Sequence, residues 1–187
     1  MLFRSFLGLE VGIVDALLNR IRSVVLYEPG RSIRLHHASF ADYLLSSERS
    51  GGNPWHIDEL KQKQDITEGC FGIMATNLRF NICDIESSFI PSSEVPEVKE
   101  RIDKNIPPHL SYACRFWSAH MCELTSLDGV IVDRLKDFAY ARLLYWFEVL
   151  SLTECFARVA CRALNDASAL IEVSQFAQFA GNLLRFP

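Results

Sequence analysis

The chain has 187 residues, 49% of them hydrophobic and 22% charged, enough to bury one sizeable core or two small ones and too apolar for a disordered or fibrous protein. Nineteen basic residues against 23 acidic ones leave a net charge of −4, which excludes a protein whose main work is neutralising phosphates. Nucleic acid is therefore not an expected partner.

In chain order, Ile13, Val14, Leu17, Leu18 and Ile21 recur at helical spacing and predict an amphipathic helix over 10–21. The β-branched and aromatic stretch Ser23–Tyr27 comes next, followed by the turn residues Glu28-Pro29-Gly30-Arg31. Ile33, Leu35 and His37 then alternate with Arg34 and His36, and together these signals predict a β-hairpin. Phe40, Tyr43 and Leu44 share one face of a helix over 38–45. Helix, strand, turn, strand, helix is the outline of a winged helix with a two-stranded wing. A complete one has further helices ahead of residue 10, so residues 1–50 are expected to form a truncated, partial winged-helix-like module. Ser46–Pro54, rich in serine and glycine, is placed as the module boundary.

Residues 51–187 read as a helical, bundle-like domain, which makes the expected fold class mainly α. Leu60, Thr67, Cys70, Phe71, Met74 and Leu78 form one stripe; Asn81–Pro96, with its serines and prolines, reads as a long loop. Val98–Lys104 predicts a short charged helix, and Pro107-Pro108 suits the opening of the next. That helix carries Leu110, Ala113, Cys114, Trp117, Met121 and Leu124 on one face. Val132, Leu135, Ala139, Leu143, Trp146 and Leu150 form the strongest stripe in the chain and predict the core helix of the second module. Phe156, Val159, Ala163, Ala167, Leu170, Val173 and Phe176 predict one or two more helices, with Asn165-Asp166 a possible break.

Absences narrow the chemistry. No G-x-x-x-x-G-K-[ST] loop is present, and Gly8-Leu9-Glu10-Val11-Gly12 matches neither that loop nor the dinucleotide fingerprint. G-x-S-x-G, H-E-x-x-H and cysteine-protease signatures are also missing. The expectation is a chain that is not an enzyme by itself and carries no cofactor or metal of its own. Apolar runs such as Leu143–Phe147 are bounded by Arg142 and Glu148, far short of the roughly 18–20 residues that span a bilayer. Glu10 and Asp15 interrupt the apolar start, so no membrane partner is expected and the expected location is cytoplasmic. The six cysteines, Cys70, Cys83, Cys114, Cys122, Cys155 and Cys161, include no C-x-x-C pair and are expected to be mostly buried free thiols.

Three constellations compete with plain structural readings. Asp84 and Glu86 are a carboxylate pair that could divide acid and base roles, but acidic residues in a polar loop are more often solvated or used as caps. Cys114, His120 and Cys122 do not share a helical face, because successive residues turn by about 100°. His36 and His37 point to opposite faces of a strand. His37 has the parity of Ile33 and Leu35, so its imidazole is expected to point inward beside the N-terminus of the 38–45 helix. There it serves either as a hydrogen-bonded core residue or as a contact for an anion.

His37-Ala38-Ser39-Phe40-Ala41-Asp42-Tyr43-Leu44 resembles the H-x-[ST]-F-x-[DE]-[FY]-[LF] segment that ends the winged helix of NACHT-type signal-transduction ATPases, the STAND class that includes NOD-like receptors. The stretch from Leu78 through Asn81-Ile82-Cys83-Asp84 to Ser88 is similar to the helical region of fungal NACHT proteins. So is Ile106-Pro107-Pro108-His109-Leu110-Ser111-Tyr112-Ala113-Cys114-Arg115-Phe116-Trp117. The resemblance implies a regulatory, non-catalytic segment that couples nucleotide state to domain arrangement. It implies that His37 contacts the ADP phosphate in an intact family protein, with ADP or ATP bound only by a complete ATPase module. The partner is then a protein: the ATPase module in cis, or another chain. The alternative is a stand-alone helical protein–protein interaction module with no nucleotide connection.

Overall fold

Apolar periodicity writes most of this chain as helix, and the molecule is mainly helical with one small two-stranded antiparallel sheet. The computed structural model describes residues 10, 12–28, 31, 33–87, 89–91 and 94–183, with side chains to residue 172. The Pro29-Gly30 turn, Ser88, Ser92, Ser93 and the side chains of Val173 and Phe176 lie outside the described residues. The chain divides into two compact units, with the boundary in sequence between Gln62 and Lys63.

The first unit runs through α1 (Ile13–Arg20), β1 (Val25–Leu26), β2 (Arg34–Leu35), α2 (Ala38–Leu45) and α3 (Ser47–Ser50). Val25 pairs with Leu35 and Leu26 with Arg34. The strands are shorter than the alternation implies, because β2 ends where the chain turns into α2. The His36 amide still donates to the Val24 carbonyl (3.0 Å), but His37 is already the N-cap of α2. The serine-rich stretch after α2 is structured. Ser46 caps α3 by accepting from the Arg49 amide (3.3 Å), and the buried Ser50 hydroxyl lies within reach of the Ser46 carbonyl and His56 Nδ1. A Cβ at position 51 would collide with the Ser47 carbonyl, so only glycine follows this turn without distortion. Val25 and Ser50 are the only buried residues among the described ones of this unit.

The second unit takes most of α4 (Glu59–Asn77), then α5 (Val98–Asn105), α6 (Pro108–Cys122), α7 (Gly129–Asp137), a π turn (Phe138–Arg142), α8 (Leu143–Leu152) and α9 (Phe156–Leu183). Pro108 stands in the first turn of α6, where its missing N–H leaves no bond unmade. Asp128 caps α7 by accepting from the Ile131 amide at 2.8 Å. All six residues of the stripe that runs along α6 to Leu124 just past its end are buried, as are Cys70, Phe71 and Met74 of α4 and Leu78 just after it. Leu60, read with that stripe, is 52% exposed. Phe71, Trp117, Phe138 and Trp146 form an aromatic cluster with ring centroids 5.1–6.0 Å apart.

Two expectations about the helices are corrected. The stripe through Ala139 is not one regular helix: Ala139 is exposed, and the buried residues are Ile131, Leu135, Phe138, Trp146, Val149 and Leu150. Phe138 and Trp146 meet edge to face at 5.5 Å. In an uninterrupted α-helix, residues eight apart are turned about 80° from one another, and the wider π turn removes most of that offset. Asn165-Asp166 does not break α9. Asp166 is held in the helix by Arg162 (3.8 Å) and by the Ser118 hydroxyl (3.3 Å).

Candidate functional site

Helix α2 leaves its first amides without intrahelical partners, and the residue ahead of it supplies one. The Ser39 amide donates to His37 Nδ1 at 3.1 Å, and the Ser39 hydroxyl lies 2.6 Å from the same nitrogen. A backbone N–H is an obligatory donor, so Nδ1 is the acceptor and the imidazole proton sits on Nε2. His37 is exposed, not inward. The strand ends at Leu35 and His37 caps the helix, so strand alternation no longer governs position 37. His36 is exposed as well, its Nε2 donating to the Arg22 carbonyl (3.0 Å). The two histidines thus serve separate bonds. What His37 offers is an Nε2–H donor at the N-terminal end of a helix, where the backbone dipole favours an anion.

In the second unit Asp84 and Glu86 lie on the loop that follows α4, and each faces an arginine. Arg79 Nη1 is 3.3 Å from Asp84, and Arg101 grips both oxygens of Glu86 at 2.9 and 3.2 Å while donating to the Asp84 carbonyl at 2.7 Å. The Arg101 bonds hold the Glu86 carboxyl below its usual range. A general acid needs the opposite shift. The loop itself is folded by side chains. Asn81, with φ 48°, closes a ring of two bonds with Ile85 (2.8 and 2.9 Å), and Arg79 Nη2 donates to the Ile82 carbonyl (2.9 Å). Glu148 of α8 accepts from the Asn81 and Ile82 amides at 3.1 and 2.8 Å, and Arg142 Nη1 donates to the Leu78 carbonyl at 3.1 Å. Sequence reading missed Glu148 and Arg142, whose partners lie more than sixty residues away along the chain.

Cys70, Cys83, Cys114 and Cys155 are buried, and Cys122 and Cys161 exposed. Burial pushes the Cys70 thiol up to about 12 and raises those of Cys114 and Cys83, the last aided by the Glu148 charge. Protonated thiols are poor nucleophiles and poor metal ligands. Among the described residues no group of three or more His, Cys, Asp or Glu could hold a metal ion. Cys114 and Cys122 stand apart, one buried and one exposed, and His120 Nε2 instead meets the Tyr112 hydroxyl at 2.7 Å.

Burial holds the His120 imidazole below its ordinary value of 6.5, with Glu123 opposing. The unfolded chain therefore takes up this proton first, and stability falls as pH drops through about 6.5. Replacing His120 by glutamine is expected to flatten the slope of unfolding free energy between about pH 7 and pH 5. An unchanged slope in urea titrations would show that His120 titrates alike in both states.

Among the described residues, no helix is long and apolar enough to cross a membrane. Comparison with family models, curated proteins and solved structures finds no match to this chain.

Proposed function

We propose that the chain is a regulatory, non-catalytic interaction segment of a NACHT-type signalling ATPase, made of the end of a winged helix and the helical domain that follows. The observation that carries this reading is the exposed N-cap imidazole of His37, in a segment whose sequence resembles the one that meets ADP in that family. Its Nε2–H is a donor suited to a phosphate oxygen supplied with the nucleotide by an ATPase module. Exchange of ADP for ATP would release that contact and bias a two-state arrangement of modules.

The apolar surface of the first unit supports a protein partner. Helix α1 buries none of its residues, and Ile13, Leu17 and Ile21 are 40–50% exposed, with Leu26 and Leu35 also uncovered. An eight-residue helix is marginal in water on its own and gains stability when its apolar face is covered.

The test separates capping from ligand contact. Asparagine caps helices about as well as any residue, so His37→Asn keeps the N-cap and removes the Nε2 donor. In a protein that joins this chain to a NACHT-type ATPase module, His37→Asn is expected to weaken ADP about tenfold, the worth of one hydrogen bond to a charged group. The circular dichroism is expected to stay unchanged. Unaltered ADP affinity would leave His37 as a cap only and favour the stand-alone interaction module. The chain alone is expected to bind neither ADP nor ATP in calorimetric titrations, and micromolar binding would contradict the assignment of the nucleotide site to another module.

A further inference from the structure

The packing of α6 against α9 leaves a hollow of about 190 Å³ lined by Arg115, Phe116, Ser118, Arg158, Val159 and Arg162. Its origin is local. Ser118 and Ala119 of α6 are the small side chains of the lining, and three long arginine side chains stand around them. Arg158 and Arg162 are one turn apart on the same face of α9, and Arg115 comes from α6. Arg115 lies over the Phe116 ring at 5.5 Å, Arg158 reaches the Cys155 sulfur at 3.7 Å, and Arg162 shares Asp166 with Ser118. Set against Asp166, three guanidiniums leave two net positive charges around one hollow.

We propose that this hollow is a docking site for a phosphorylated side chain on a partner protein. Size and charge select that occupant. Pockets for whole cofactors or drug-sized ligands run to about 300–1,000 Å³, so this one admits a single group. A phosphate monoester carries about −1.5 to −2 charges at neutral pH and matches the surplus, whereas one carboxylate leaves half of it unmet. Guanidinium forks bind phosphate oxygens in pairs, and Phe116 and Val159 cover the stem that carries the phosphate. The hollow lies wholly within the second unit and works with or without an ATPase module.

The probe is a five-residue peptide with phosphoserine at its centre and glycine on either side, titrated into the full chain while backbone amide resonances are followed. The amides of Phe116, Ala119 and Val159 are expected to shift in a saturable way, with an affinity that weakens as salt is added. Arg158→Ala and Arg162→Ala, both at exposed helix positions, are each expected to weaken binding at least about fivefold while the circular dichroism stays unchanged. The unphosphorylated peptide is expected to shift nothing. Three results would overturn the proposal: no shift at these amides with about 10 mM phosphopeptide, equal binding by the arginine variants, or inorganic phosphate binding as tightly as the phosphopeptide. The last would mark a site for a free anion, not for a protein.

Discussion

Trp146→Ala is expected to destabilise the second unit by about 3–5 kcal/mol, as large-to-alanine changes of buried aromatic residues do. Trp146 is fully buried, meets Trp117 edge to face at 5.9 Å and Phe138 at 5.5 Å, and donates from Nε1 to the Cys114 carbonyl at 2.8 Å. Truncation removes the ring contacts, opens a cavity and leaves that carbonyl without its indole donor. The neighbouring tryptophan separates these effects. Trp117 is equally buried, but its Nε1 finds no acceptor among the described residues. Trp→Phe at either position deletes a similar ring volume, yet only at 146 does it delete a hydrogen bond. Trp146→Phe is therefore expected to cost about 1 kcal/mol more than Trp117→Phe in urea unfolding followed by circular dichroism. Equal losses, or a larger one at 117, would refute the claim that the indole of Trp146 is the one anchored to α6.

Sequence reading performs well where one periodicity runs without interruption. Leu110 to Met121 step along α6 at helical spacing, Leu124 follows just past its end, and all six of these residues read as core are buried. It fails where the period changes. A uniform helix through Val132 to Leu150 places Ala139 inside, but the π turn puts Phe138 there and leaves Ala139 in solvent, because an aromatic cluster outweighs regular helical geometry. The same holds for His37: strand alternation points it inward, but β2 ends two residues earlier and its ring caps a helix. Asp84 and Glu86 were visible as a pair, but Arg79 and Arg101, which neutralise them, are placed by tertiary folding. Arg115, Arg158 and Arg162 look like ordinary flanking residues until α6 and α9 pack. Long-range partners leave no mark in a local pattern.

Glu148→Ala is the second large effect, and it acts on the loop that periodicity could not describe. Both oxygens of Glu148 accept backbone amides, Ile82 at 2.8 Å and Asn81 at 3.1 Å, joining α8 to residues 66 and 67 positions earlier. The anchored segment carries Ile82 and Cys83 into the core at 2% and 1% exposure and holds Asn81 at φ 48°. Alanine leaves two amides without acceptors beside these buried side chains. At about 1–3 kcal/mol for each unmade bond, and with partial access to water, the expected loss is about 2–4 kcal/mol. Glutamine offers one acceptor oxygen in place of two, so Glu148→Gln is expected to fall between wild type and alanine. Hydrogen exchange gives the local readout: the Asn81 and Ile82 amides are expected to lose protection before the aromatic cluster around Trp117 does. Cys83 supplies a chemical one. Removing the Glu148 charge takes away one of the effects that raise its thiol pKa, and loosening the loop uncovers it. Its reaction with a disulfide reagent is therefore expected to accelerate while Cys70 and Cys114 stay protected. Unchanged exchange at Asn81 and Ile82 in Glu148→Ala would show that the bonds from Arg79, Arg101, Arg142 and the Asn81 side chain hold the loop without Glu148.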